Sequence, residues 1–347
     1  MSERIGVAMS GGVDSSVAAY LLKEAGHDIV GLTFTSQFHP PGPGLEDARR
    51  VAEALGIEHH ALDLSEGFAK ILDAFCREYL AGRTPNPCAR CNPSVKFGLL
   101  LEHARKLGCT ALATGHYARI QLQDNSRWAL ARAAYVPKDQ TYFLFGLSQE
   151  QLRDARFPLG ELSKPEVRAI ASRIGLHVTD KAESQEICIA PDKDYPRLLR
   201  EHCPEDLIPG DIVDTAGKVL GRHPSIAYFT LGQRRGLGVA TGRPMYVVAL
   251  DPANNRVVLG TDAELFRSEL VAREVNWGAI PALAAPRGAT VQIRYRHRGA
   301  AAELIPVDAG CVRVRFETPQ RAITPGQVAV FYENEVMLGG GWIRSSS

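Results

Sequence analysis

The sequence predicts an α/β fold: a doubly wound parallel sheet, followed by a small β-rich middle domain and a C-terminal β-barrel. Three observations carry this. Short apolar runs alternate with helical periodicities over roughly the first 115 residues. After Pro204 the texture changes to short strands with frequent Gly and Pro. Near the C-terminus, "VRVRF" (312–316) alternates strictly, as a half-buried strand does. A chain of 347 residues is too long for one comfortable core. The expected division is 1–200 for the catalytic α/β domain, 201–267 for the middle domain and 268–347 for the barrel.

The elements follow in order. "IGVAM" is a buried strand ending at Gly11–Gly12, and "VDSSVAAYLLKEAG" is a helix stopped by Gly26. "DIVGLTF" is a second strand, and "LEDARRVAEALG" a helix ending at Gly56. "HHALDL" is a third strand, with Asp63 and Glu66 reading as loop and cap residues and His59 and His60 as structural. "VKFGLLLEHARKLGC" is a helix and "ALATG" a strand. Two helices follow, "LSQEQLRDA" and "SKPEVRAIASRIG", the second with Pro165 in its first turn. "PGDIVDTAGKVLG" and "PMYVVALDPANNRVVLG" are hairpins turning at "TAGK" and "PANN". "ATVQIRYRH", "CVRVRFET" and "QVAVFYENEVMLGGGWI" supply the barrel.

A net charge of +1 gives no global field for a polyanion, so any nucleic-acid contact must come from local patches. No apolar run approaches the ~20 residues of a membrane span. The N-terminus enters a strand almost at once, leaving no room for a signal peptide. The expected compartment is the cytoplasm, where thiols stay reduced. Seven cysteines (76, 88, 91, 109, 188, 203, 311) make no disulfide framework, so a clustered pair points to metal binding or catalysis.

"SGGVDSS", Ser10–Ser16, lies between the first strand and its helix. Gly11 and Gly12 remove the Cβ atoms that would hold an anion away. The N–H groups opening the helix point at it, with Ser10, Ser15 and Ser16 as hydroxyl donors. Asp14 beside phosphates makes sense with Mg²⁺ between them. The loop has neither the lysine of G-x-x-x-x-G-K-[ST] nor the spacing of G-x-G-x-x-G. It resembles the S-G-G-x-D-S-[ST] pyrophosphate loop of N-type ATP pyrophosphatases, the PP-loop enzymes, which split ATP to AMP and pyrophosphate through an adenylated intermediate.

"NPCARCN" (86–92) places Cys88 and Cys91 three apart, and Cys188 stands downstream in "ESQEICIAPDKDY". A structural zinc site wants four ligands, and a second CxxC is absent. "MSGGVDSSV", "AGRTPNPC..CN..VKF", "ATGHYAR", "KDQTYFL", "FPLGEL.KPEVR.IA", "TLGQRRGLG", "ITPGQ.AVFY" and "LGGGWI" together resemble the tRNA 2-thiouridylase family nearly end to end. That resemblance implies an ATP-dependent tRNA sulfurtransferase acting on the 2-position of the wobble uridine (position 34). ATP adenylates the carbonyl oxygen, sulfur attacks the carbon and AMP departs.

By the same resemblance, Cys188 carries a persulfide from a donor protein, and Cys91 attacks or resolves a disulfide. Arg83, Arg90 and Lys96 are candidates to lower the thiol pKa values. Many family members have Asp where this chain has Cys88. A set of Cys88, Cys91 and Cys188 resembles thiolases that hold a [4Fe–4S] cluster by three thiolates, with an open iron for sulfide. The persulfide route and the cluster both stand at this point. The expected ATP contacts are Ala8, Met9, Ser10, Gly11, Gly12, Val13, Asp14, Ser15, Ser16, Thr33 and Gly115. "LTFTSQFHPPGPG" departs from the family after the second strand, which leaves Thr33 its backbone as the adenine contact.

For tRNA, the resemblance implies Asn86, Pro87 and Cys88 at the target base, with His116, Lys138, Asp139, Gln140, Arg294, Tyr295 and Gln327 across the domains. Arg and Lys suit phosphate, Tyr suits stacking and Gln suits edges or sugar, and the uridine must flip out of its loop to reach the thiols. Residues 201–347 hold sixteen Lys and Arg against fifteen Asp and Glu, so only "GQRRG" and "RYRHRG" suggest a footprint there. The aromatics of "TYFLF" read as core. Rival readings are another PP-loop enzyme, thiolating a different base or forming an amide, and a non-catalytic Fe–S or zinc RNA-binding protein. The intact "SGGVDSS" disfavours the second.

Overall fold

The computed structural model describes residues 2–175, 188–190, 194–240, 242–308 and 310–347. The N-terminal region runs β1 (Arg4–Ala8), α1 (Val13–Glu24), β2 (Asp28–Thr35), α2 (Pro43–Leu55), β3 (Glu58–Asp63), α3 (Ser65–Leu80), α4 (Pro87–Cys91), a π-helical stretch Asn92–Leu100, α5 (Leu101–Lys106) and β4 (Ala111–Ala113). A hairpin of β5 (Arg119–Leu122) and β6 (Trp128–Ala131) follows, then α6 (Gln149–Asp154), β7 (Ala155–Arg156), α7 (Lys164–Arg173) and α8 (Tyr195–His202). The sheet order is β3-β2-β1-β4-β7, and every pairing is parallel. Helices cover both faces, giving two apolar clusters, one on each side of β1 and β2.

The strand order reverses between β1 and β4, and ligands of such sheets bind outside the strand ends at that switch point. The loop after β1 is Ser10–Ser16, and the residues after β4 are Thr114–His116. The topology therefore brings both predicted nucleotide segments together.

Helix α3 went unread in the sequence, although Phe68, Ile71, Leu72, Phe75, Cys76 and Tyr79 repeat at helical spacing and are all buried. The helix expected to begin at Val95 begins instead at Pro87, with Asn86 Oδ1 capping the Ala89 N–H at 3.2 Å. Pro93 explains the π-helical stretch. It has no N–H, and its ring would clash with the carbonyl four residues back, so the wider turn accommodates it. Gln151 Nε2 donates to the Pro93 and Phe97 carbonyls at 2.7 and 3.0 Å, pairing groups near the bulge.

The middle sheet is β10-β11-β8-β9: β8 (Gly210–Asp214), β9 (Val219–His223), β10 (Tyr246–Asp251) and β11 (Arg256–Gly260). Both predicted hairpins form, joined by the parallel β11–β8 pair. The C-terminal barrel comprises β12 (Phe266–Trp277), β13 (Arg287–Gln292), β14 (Ala300–Asp308), β15 (Cys311–Arg321), β16 (Val328–Glu333) and β17 (Val336–Ser346). The β12–β17 pairing closes its six strands. In β15, Val312, Val314 and Phe316 point inward and Arg313 and Arg315 outward. Strands β12 and β14 were not anticipated. The hairpin β5–β6 joins the barrel sheet through Ala131 opposite Val336, tying the catalytic region to the barrel. Among the described residues, no helix is long and apolar enough to cross a membrane.

Candidate active site

The phosphate loop leaves β1 through Ala8 and the buried Met9, whose N–H donates to the Leu32 carbonyl at 2.8 Å. Gly11 has φ +69°, and a Cβ there would lie 2.3 Å from the Gly44 carbonyl oxygen, so only glycine fits. Ser10 N–H donates to Ser15 Oγ at 3.2 Å, while the hydroxyls of Ser15 and Ser16 donate to the Gly12 carbonyl at 3.1 and 2.9 Å. Gly12 is the α1 N-cap and Val13 its buried first residue. A Cβ on Gly115 would lie 2.8 Å from both Asp14 C and Ser15 N. Gly115 thus lets β4's end pack directly on the opening turn of α1.

Two residues that the sequence reading missed complete this loop. Asp14 Oδ1 accepts from Tyr117 Oη at 2.9 Å and from Lys164 Nζ at 2.6 Å. The signal for Lys164 was its place in "SKPE". A lysine opening a helix opposes the dipole and calls for a nearby anion. Thr33 is buried, and its hydroxyl is shared between the Met9 carbonyl and His59 Nε2, both at 2.8 Å. The Thr33 hydroxyl is thus engaged within the fold, and His59 has a structural partner there.

Cys88 and Cys91 lie one turn apart in α4, at its second and last residues. Cys188 comes from the distant segment and is close enough to influence both sulfurs electrostatically. All seven cysteines are free thiols. Burial, then the neighbouring Cys188, pushes the Cys88 thiol up to about 11. Burial pushes Cys91 up to about 12 and also raises Cys188. Lys96 is the cation that opposes burial at all three. The expectation of lowered thiol pKa values is corrected here, because desolvation outweighs the ammonium. The other two candidate cations have different partners. Arg83 forks onto Glu78 at 2.7 and 2.9 Å, and Arg90 lies 4.3 Å over the Trp342 ring of the barrel.

Among the described residues, no group of three or more His, Cys, Asp or Glu side chains is arranged to hold a metal ion. Cys88, Cys91 and Cys188 do not form such a group, and the expectation of a [4Fe–4S] cluster finds no support.

His116 directly follows the glycine that packs on the phosphate loop. Its Nδ1 lies 2.7 Å from Thr114 Oγ1, and burial with Lys96 nearby holds it well below the ordinary histidine value. It is neutral at physiological pH. Ser15 and Gly115 are in close approach, and Lys96 lies near enough to act electrostatically on His116 and on all three thiols.

The residues expected at the RNA divide by environment. Gln327 Nε2 donates to the Thr84 and Pro85 carbonyls at 3.0 and 3.2 Å, fixing the Asn86–Cys88 segment from the barrel side. Pro87 is buried at the first helical position. Asp139 is buried and accepts from Ala133 N–H, Thr141 Oγ1 and Arg132. Gln140 Oε1 accepts the Tyr117 N–H at 3.0 Å. Arg294 is exposed, and its Nη1 donates to the Arg321 carbonyl at 3.1 Å. Tyr295 packs on Phe143 with ring centroids 4.5 Å apart, and Lys138 is half-buried. Of the aromatics of "TYFLF", Tyr142 and Phe145 are core, as read, whereas Phe143 is half-buried.

Three family models cover the chain: a tRNA methyl transferase HUP domain over residues 3–192, a tRNA methyl transferase PRC-barrel domain over 197–261 and an aminomethyltransferase β-barrel domain over 267–343. The tRNA-specific 2-thiouridylase MnmA of Symbiobacterium thermophilum is 46% identical, across 99% of this chain and 93% of that protein. The protein of the same name from Geobacter metallireducens is 47% identical, across 99% of this chain and 97% of that protein. A 4-thiouridine synthetase–RNA complex with bound ATP shares 20% identity over 57% of this chain and 49% of that one, at a TM-score of 0.40.

Proposed function

The chain belongs to the tRNA-specific 2-thiouridylase family, and from that premise we propose how its two adjoining sites divide the work. The protein is an ATP-dependent tRNA sulfurtransferase of the PP-loop class. In our reading, ATP lies along Ser10–Ser16 with its adenine against the backbone at Thr33. The target is the 2-carbonyl of wobble uridine 34. Its oxygen attacks the α-phosphorus, pyrophosphate leaves toward the loop, and carbon 2 becomes electrophilic. Mg²⁺ accompanies the nucleotide, with Asp14 as the loop's carboxylate.

Sulfur then reaches carbon 2 from a persulfide on Cys188, delivered by a donor protein in the cytoplasm. The terminal sulfur attacks the carbon and AMP departs. Cys91 attacks the Cys188 sulfur, leaving the thiocarbonyl on the base and a Cys91–Cys188 disulfide for an external thiol to reduce. The observation that carries this reading is that Cys188, from a distant segment, is near enough to act electrostatically on both Cys88 and Cys91, with Lys96 acting on all three thiols and on His116. In the resting protein the thiols stay protonated, so the nucleophile is protected until the base and donor arrive. Asn86, Pro87 and Cys88 would face the flipped base. Gln327 would hold that segment, and Lys138, Arg294 and Tyr295 would offer phosphate and stacking contacts. Asp139 and Gln140 would act by fixing the backbone on which Lys138 stands.

The test is tRNA-dependent pyrophosphate release, measured alongside mass-spectrometric detection of 2-thiouridine. Release without thiolation in Cys91→Ala and Cys188→Ala supports the division into two sites. Thiolation retained in either variant overturns the sulfur relay.

A further inference from the structure

Lys164 is an unusual lysine. It opens α7, where the helix dipole disfavours a cation, and only 7% of it is exposed. Burying an ammonium is costly without a close anion, and the carboxylate of the phosphate loop is one such partner. Lys164 Nζ and Tyr117 Oη both contact the same oxygen, Oδ1 of Asp14, at 2.6 and 2.9 Å. The lysine side chain is 9% exposed and the aspartate 34%, so the contacted edge is buried while the carboxylate still opens to solvent. The clearance at Gly115 fixes the Asp14 backbone from the other side. Asp14 is therefore held by its backbone and by one oxygen.

We propose that Lys164 is a positioning residue for the nucleotide site: it neutralises Asp14 when no metal is present and keeps Oδ2 directed outward as the oxygen for Mg²⁺. Tyr117 shares the orienting part of that role. The idea rests on ATP binding at this loop and deepens that reading. Its electrostatic content is simple. An unpaired Asp14 carboxylate would repel a polyphosphate arriving at Gly11–Ser16, and a divalent ion would remove that repulsion. The lysine makes the loop receptive before metal is bound, and its loss should make ATP binding more dependent on Mg²⁺.

The experiment is equilibrium ATP binding to the full chain without tRNA, in EDTA and in excess Mg²⁺, read as the ratio of the two Kd values. In Lys164→Gln the ratio rises about tenfold, because one unbalanced charge now faces the phosphates in EDTA. Lys164→Arg keeps the wild-type ratio. Asp14→Asn combined with Lys164→Gln returns the EDTA affinity to near wild type and brings the ratio toward one, since a neutral pair replaces a neutral pair. Equal weakening under both conditions in Lys164→Gln, with no rescue in the double variant, would assign Lys164 a structural role only and overturn the proposal. A wild-type protein that binds no ATP under either condition would instead refute the nucleotide-site reading itself.

Discussion

Along the proposed phosphate cradle, Ser10–Ser16, Gly11 is confined to glycine by its φ and its neighbours, and Ser10, Ser15 and Ser16 are hydrogen-bonded within the loop. Around the sulfurs, one short helix start and a distant segment must meet, and each thiol is held by its surroundings. The contrast teaches what each chemistry requires. An anion is bound by N–H groups that are already aligned before it arrives, so the loop is rigid and locally encoded. A sulfur nucleophile must stay unreactive until its electrophile is made. Burial raises all three thiols and the Lys96 ammonium opposes it, which is what the proposed relay would require.

The sharpest way to break this contrast is at the sulfurs. Cys91→Ala and Cys188→Ala should each lower thiolation by about a thousandfold or more, while tRNA affinity in a filter-binding assay stays near wild type. Equal loss of tRNA binding would merge the two regions into one. Next comes the loop. Gly115→Ala places a methyl against the α1 backbone and should weaken ATP binding by about a hundredfold, with a stability loss of about 1–3 kcal/mol seen in the Tm. The thiols should keep their alkylation rates in that variant.

A third test uses pH. The Cys88 and Cys91 thiols sit at about 11 and about 12, against an ordinary value of 9.0. The folded state therefore holds these protons longer than the unfolded chain. Their contribution to stability is complete below pH 9 and is lost as pH rises toward 12. Alkylation of the native protein by iodoacetamide should still be climbing at pH 10. Lys96→Met should slow it several-fold at pH 9 by removing the opposing cation. A plateau below pH 9 would show preformed thiolates and erase the contrast. The smallest effect is expected at Gln327→Ala, which loses two bonds to the Thr84–Pro85 backbone. It should cost about 1–2 kcal/mol of stability and reduce thiolation more than ATP binding.

The legible parts of this protein are those where function and fold are local. "SGGVDSS" announces its loop because glycine, hydroxyl and helix start must be neighbours in sequence. "VRVRF" announces a half-buried strand because alternation is a property of five consecutive residues. Helix α3 carried a clear periodicity that was passed over. Strand β14 was harder, since "AAAELIPVD" holds a proline and small residues that weaken a strand signal. The π-helical stretch had a cause in Pro93 but no fixed sequence code.

What the sequence by itself determined is the glycine-rich loop between the first strand and its helix, the parallel α/β order and the spacing of Cys88 and Cys91, because each follows from residue type and near neighbours. What only the tertiary structure decided is which charges face which groups. Asp14 meets Lys164 and Tyr117, Lys96 rather than Arg83 or Arg90 serves the thiols, and the β5–β6 hairpin joins the barrel. Burial and electrostatic partnership depend on distances between segments remote in the chain, and those distances exist only once the sheet has formed and its helices have packed.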